Sequence, residues 1–123
     1  MRLLLDTHVF LWWRTASEMR PEATDAIRGA DDVFVSAASA WEVSIKAALG
    51  KIRLMASFAD GVAQSGFVPL PITLTHAAAA GELPPHHRDP FDRMLVAQAR
   101  VERLTLITRD RWLEPYDARI VWA

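Results

Sequence analysis

The chain contains no cysteine. That removes disulfides, thiolate metal sites and a cysteine nucleophile, and it fits a reducing compartment. Long apolar runs are missing too. The opening stretch Met1-Arg2-Leu3-Leu4-Leu5-Asp6 is too short for a secretory signal, and no run reaches membrane-spanning length. The expectation is a soluble, cytoplasmic protein with no membrane partner. Charge of one sign is not in large excess: 14 Lys and Arg stand against 15 Asp and Glu, a net charge of −1. A basic nucleic-acid-binding composition is therefore absent. An enzyme that gathers acids around a metal lowers its own net charge, however, while local arginines still meet phosphates. No Ser-His-Asp arrangement or glycine-rich phosphate loop appears, which argues against acyl transfer and P-loop nucleotide chemistry. Repeats, linkers and low-complexity segments are absent.

What is present fits one domain over residues 1–123, long enough for a single core and 51% hydrophobic. Apolar runs at 2–5, 33–35, 67–72, 105–108 and 119–122 read as short strands. The prolines at 69 and 71 place the third of these at a sheet edge. Helical patterns fall between them, over about 7–14, 20–30, 38–49, 57–65, 75–81 and 90–104. Helix 7–14 carries Val9, Phe10, Leu11, Trp12 and Trp13 and is apolar nearly all round. Two adjacent tryptophans cannot both face one core, so one is available to an interface. Strands alternating with helices predict an α/β domain around a mostly parallel sheet, with functional groups beyond the carboxyl ends of the strands.

Four acids fall at that edge. Asp6 and Asp110 directly follow strands. Glu42 and Asp92 lie in early turns of helices. The stretch Asp89-Pro90-Phe91-Asp92 opens a helix, with Asp89 as N-cap and Pro90 at the first helical position. The same-face neighbours of Asp92 are Leu95, Val96 and Ala99, all apolar, so its carboxylate points along the buried side, where an uncompensated charge is costly. Glu42 sits likewise among Ala38, Ile45 and Leu49. Each acid also has a structural use. Asp6 and Asp110 could cap the turns that follow them, Asp92 could meet the helix dipole, and Glu42 could pair with Lys46. Jointly, one hard-cation site built from oxygen ligands explains all four, and crowded carboxylates there predict raised pKa values without metal.

The segments Leu4-Leu5-Asp6-Thr7-His8-Val9-Phe10-Leu11-Trp12, Val35-Ser36-Ala37-Ala38-Ser39-Ala40-Trp41-Glu42, Asp89-Pro90-Phe91-Asp92-Arg93 and Leu106-Ile107-Thr108-Arg109-Asp110 carry a resemblance. In order and spacing the chain resembles the PIN-domain ribonucleases, in particular the VapC-type toxins of toxin–antitoxin pairs, over nearly its whole length. The resemblance implies a three-layer α/β fold with a five-stranded sheet in the order 3-2-1-4-5. It implies Asp6, Glu42, Asp92 and Asp110 as catalytic metal ligands, Mg²⁺ as cofactor with Mn²⁺ as a substitute, and a metal-activated water that attacks an RNA phosphodiester in line. Asp110 or Glu42 could serve as base. It further implies a cognate antitoxin, a homodimer, and a heterotetramer or larger assembly of the two proteins.

For substrate phosphates, Arg93 and Arg109 are the candidates among the arginines that flank the last two acids. His86-His87 reads as a solvated loop, His8 as a hydrogen-bonded structural histidine, and Thr108 as a strand residue able to bond a ligand carboxylate. Two other readings stand beside the ribonuclease: a metal-dependent phosphohydrolase of a small phosphoester, and a non-catalytic α/β binding module whose acids are helix caps.

Overall fold

Strand β1 (Arg2–Leu5) forms the middle of the molecule. The computed structural model describes residues 1–54 and 56–123. After β1 come α1 (Thr7–Arg14), α2 (Pro21–Gly29), β2 (Asp32–Ser36), α3 (Ala37–Ala48), α4 (Phe58–Gln64), β3 (Val68–Leu70), α5 (Leu74–Glu82), α6 (Pro90–Glu102), β4 (Thr105–Thr108) and β5 (Ile120–Trp122). A short 3₁₀ turn, Arg111–Leu113, separates β4 from β5. The strands form one sheet in the order β3-β2-β1-β4-β5. Every pairing is parallel, with Leu5 opposite both Val35 and Ile107. The predicted α/β class and strand order are those of the structure, and the apolar run at 67–72 shortens to a three-residue edge strand around Pro69.

Strand periodicity explains the layers. Leu3, Leu5, Val33, Val35 and Ile107 point to one face, where they pack with Val9 and Phe10 of α1, Ala23 and Ile27 of α2 and Val62 of α4. Leu4 and Leu106 point to the other, against Leu95, Val96 and Ala99 of α6 and Leu83 after α5. A sheet buried on both faces needs apolar residues at successive positions, which is why β1 and β4 read as continuous runs. Burying each leucine contributes roughly 2 kcal/mol. Helix α3 packs between α1 and α6.

A polar network runs through the second layer. Gln98, fully buried on α6, accepts from the Ser36 hydroxyl at 2.6 Å. Its amide nitrogen donates toward the Pro71 carbonyl and His76 Nδ1. His76 Nδ1 also accepts from the Thr73 backbone N–H, and its Nε2 lies 2.9 Å from Glu102. Ser36 is at once the last residue of β2 and the N-cap of α3, accepting from Ala38 N–H. The network therefore ties α5 and α6 to the start of α3, whose second turn carries Glu42. Buried polar groups are costly when one partner is removed. Gln98→Ala should lose about 3 kcal/mol of unfolding free energy, from the cavity and the stranded Ser36 and His76 atoms. Urea denaturation measures this, and an unchanged midpoint would show that the network contributes nothing to stability.

Candidate active site

Because all strands are parallel, their carboxyl ends open on one edge. Asp6 follows β1 there, and its backbone N–H still bonds Ile107 O at 2.9 Å, which fixes it to the sheet. It caps α1 by accepting from His8 N–H at 3.4 Å. Its other oxygen accepts from the Thr108 hydroxyl at 2.6 Å. Thr108 Oγ1 in turn accepts from the backbone N–H of Asp110 at 3.0 Å. One buried threonine thus sets the positions of two acids. Asp110 caps the 3₁₀ turn by accepting from Trp112 N–H. Glu42 is buried, and its Oε1 accepts from the Thr7 hydroxyl at 2.7 Å, with Ser39 Oγ 2.8 Å from the same hydroxyl. Its Oε2 meets Lys46 Nζ at 2.6 Å.

Helix α6 starts at Asp89, whose carboxylate accepts from Phe91 and Asp92 N–H. With Asp89 as the cap, Asp92 is left to face inward above Leu95, Val96 and Ala99, all buried. It meets His87 Nε2 at 2.8 Å, and the same nitrogen lies 3.2 Å from Asp110 Oδ2. Asp6, Glu42, Asp92 and Asp110 line one cavity of about 390 Å³, together with His8, Trp12, Lys46, Asp89 and Arg109. The structure brings together all four acids singled out from the sequence. Their structural uses are real as well: the caps at Asp6 and Asp110 and the Glu42–Lys46 pair are all formed.

Electrostatics record the crowding. Burial pushes the Asp6 carboxyl above its ordinary value, against the Thr108 hydrogen bond, and the charge of Glu42 adds to the rise. The Asp92 carboxyl is pushed up to about 7, first by burial, then by the charges of Asp6, Asp89 and Asp110, with the His87 hydrogen bond opposing. The Glu42 carboxylate in turn holds the Lys46 ammonium above its usual value. Excess negative charge in a lined cavity of oxygen donors suits a hard divalent cation.

Other residues stand differently from their sequence reading. Arg93 does not face the cavity. Its guanidinium donates to the carbonyls of Ala80, Leu83, Pro84 and His87 and to the Tyr116 hydroxyl. The end of α5 leaves carbonyls without helical partners, and the planar fork of donors satisfies them. Arg109 does line the cavity, with its guanidinium 4.0 Å from the Trp12 ring centre. His8 is exposed at the cavity mouth rather than hydrogen-bonded within the core, because the buried face of α1 is Thr7, Val9 and Phe10. Ile45 and Leu49 are exposed, so the apolar stripe around Glu42 is buried only at its amino end. His87, read as solvated, is half-buried between two acids. Thr108 has no exposed surface and bonds an acid. A histidine five residues before Asp92 was the available signal for His87. Thr108 carried only the hint of standing beside Asp110.

The raised Asp92 value has a pH consequence. Between about pH 4 and pH 7 the folded chain holds a proton that the unfolded chain has released, so this group's contribution makes stability fall as pH rises through that window. Asp6 acts in the same direction. In metal-free buffer, Asp92→Asn should gain stability relative to the parent chain from about pH 5 to about pH 8, by roughly 2 kcal/mol. Thermal melts of both proteins across that range test this. A difference that stays flat would mean the carboxylate is already ionised at low pH.

Comparison with known proteins agrees with this geometry. The PIN domain family model matches residues 3–118. The chain is 30% identical over 122 residues to ribonuclease VapC22 of Mycobacterium tuberculosis, covering 93% of this chain and 91% of that protein. Its fold is similar to VapBC2 from Rickettsia felis bound to a promoter DNA fragment, with a TM-score of 0.73 at 11% identity, covering 99% and 98% of the two chains. A toxin–antitoxin complex from Klebsiella pneumoniae superposes with a TM-score of 0.68 at 21% identity, over 97% and 95%. PIN nucleases are metal-dependent, which accords with the acidic cavity. A match across nearly the whole chain and a relative at this identity show that the protein belongs to the PIN-domain family, as a homologue of the VapC ribonucleases.

Proposed function

We propose that this chain is a Mg²⁺-dependent endoribonuclease, with Mn²⁺ as an effective substitute, that acts as the toxin of a toxin–antitoxin pair. The observation that carries the reading is the convergence of Asp6, Glu42, Asp92 and Asp110 on one cavity, two of them with raised carboxyl pKa values. These four residues would hold the metal. When bound, the ion neutralises charge developing on phosphate oxygens and makes a coordinated water more acidic.

The chain's own groups prepare the rest. Thr7 and Thr108 orient Glu42 and Asp6 by short hydrogen bonds, so these carboxylates need little reorganisation when a cation arrives. Lys46 restrains the second Glu42 oxygen. Arg109 places positive charge on the cavity wall, and it also lines an adjoining cavity of about 800 Å³ with Arg20, Arg111 and Trp122. Arg111 stacks on Trp122 at 3.9 Å. Guanidinium groups and aromatic faces running on from an acidic site suit a single strand of nucleic acid, since phosphates meet the cations and bases stack. A small phosphoester would leave this second cavity unused. That favours RNA over the smaller substrate.

The antitoxin belongs to the same reading. The matched solved structures include a toxin–antitoxin complex. Here Trp41, directly before Glu42, is 63% exposed, and Trp112, two residues after Asp110, is 69% exposed. Large aromatic side chains beside the site offer a partner protein its anchors. The family match over 3–118 supports treating residues 1–123 as one PIN domain. In this reading that domain acts as a homodimer and in larger assemblies with its antitoxin.

Cleavage of RNA by the purified protein with Mg²⁺ or Mn²⁺ tests the activity. Asp6→Asn and Asp92→Asn should each lower the rate at least about 100-fold while circular dichroism stays native. Turnover of small phosphoesters with RNA untouched would replace this reading with the phosphohydrolase, and full activity in both variants would end it. Arg109→Ala should raise KM more than it lowers kcat, by roughly tenfold, because it removes positive charge from the cavity wall, where the guanidinium also bonds Glu18 O and Ala123 O, and leaves the acids in place. Steady-state kinetics on a short RNA oligonucleotide separates the two constants.

A further inference from the structure

His87 stands beside this cavity with its ring nitrogen between two of the lining acids, Asp92 and Asp110, and its surroundings hold it there. Its backbone N–H donates to the Tyr116 hydroxyl at 2.9 Å, and Tyr116 donates in turn to Pro84 O. Arg93 grips the carbonyls of Leu83, Pro84 and His87, which fixes the loop that leads up to the ring. Trp112 lies nearly parallel to the imidazole, at 6.5 Å between ring centres and 18° between planes. A histidine held through its backbone by Tyr116 and Arg93 and faced by the Trp112 ring is unlike a solvated loop histidine. Among the described residues, His87 Nδ1 makes no hydrogen bond, so it is free to carry the ring proton and leave Nε2 as a lone-pair donor.

The spacing of the three groups matters. His87 Nε2 is 2.8 Å from Asp92 Oδ2 and 3.2 Å from Asp110 Oδ2, and the three ligand atoms lie within 4.8 Å of one another. Adjacent ligands of an octahedral ion with bonds of about 2.1 Å stand about 3 Å apart. The same three atoms can therefore close around a cation in place of the shared N–H. Imidazole nitrogen raises affinity for Mn²⁺, Fe²⁺, Co²⁺ or Zn²⁺ much more than for Mg²⁺, which strongly prefers oxygen.

We propose that His87, Asp92 and Asp110 form a mixed nitrogen–oxygen site for a divalent transition metal, with His87 Nε2 as a direct ligand. The site shares Asp92 with the all-oxygen side of the cavity made by Asp6 and Glu42. The inference rests on the metal-dependent reading of that cavity and deepens it: one histidine gives Mn²⁺-class ions, the substitutes for Mg²⁺, a ligand that Mg²⁺ uses poorly. Arg93, Tyr116 and Trp112 are positioning residues for that ligand.

The test uses the full chain and Mn²⁺ alone, without RNA. Pulsed electron paramagnetic resonance of the Mn²⁺-loaded protein should show nitrogen-14 coupling from a bound imidazole, and His87→Gln should abolish it. Titration calorimetry should show Mn²⁺ affinity falling at least about tenfold in His87→Gln, with Mg²⁺ affinity changing less than about threefold. Circular dichroism confirms that the variant is folded, and Arg93→Lys serves as a second variant that loosens the loop while keeping the imidazole. It should weaken the nitrogen coupling without removing it. Mn²⁺ that binds the parent chain with no nitrogen coupling overturns the histidine ligand and leaves the acidic site standing. Equal losses for Mn²⁺ and Mg²⁺ in His87→Gln overturn it as well. Failure of both ions to bind the parent chain overturns the metal reading of the whole cavity.

Discussion

Burial of several carboxylates together at one edge of a parallel sheet is the constraint around which this structure is arranged. Water would relieve it cheaply at the surface, but Asp6 and Glu42 are buried and Asp92 nearly so. The fold answers with short, directed bonds. A hydroxyl faces Asp6 and another faces Glu42, an ammonium holds the second Glu42 oxygen, and one imidazole stands between Asp92 and Asp110. The remaining strain appears as raised carboxyl pKa values at Asp6 and Asp92. Such a site trades stability for affinity, since the feature that destabilises the empty cavity is the one that attracts a cation.

Two helices serve this edge as well as the core. Helix α6 uses Asp89 as its cap, which frees Asp92 from capping and turns it inward. Helix α3 begins directly at the end of β2, so Glu42 reaches the cavity from its second turn. The Gln98 network joins that helix start to α6 and α5 by hydrogen bonds that neither layer could satisfy alone. Rigidity of the acids is thus inherited from packing some distance away, as a preorganised site requires.

How far the sequence reveals this depends on whether a signal is local. The sheet order followed from a resemblance, but the two-faced burial of β1 and β4 was visible in their unbroken apolar runs. Asp92 was legible because its neighbours at three, four and seven residues are all apolar, and Asp89-Pro90 fixed where the helix begins. Arg93 was misread because its partners are backbone carbonyls, including those at the end of another helix, and carbonyls leave no mark in a sequence. His87 and Thr108 were undervalued for a related reason. Each gains its role from Asp110 or Asp6, and Asp6 stands 102 residues from Thr108. Exposure of Ile45 and Leu49 was hidden too, since periodicity gives a face but not what covers it.

The central strand precedes its sheet neighbours in the sequence, and this has a consequence for folding. Strand β1 waits for β4, its neighbour on one side, until most of the chain exists. Asp6 leaves the ribosome well before the hydroxyl that aims it, 102 residues on, and before Asp92 and Asp110, two of the acids that complete the cavity. A nascent chain, or one cut short by a stalled ribosome, therefore carries scattered carboxylates and no assembled centre. Topology of this kind delays folding because distant segments must meet before their contacts reward them. The acidic cavity is therefore complete only once β4 has joined the sheet and brought Asp110 to its edge.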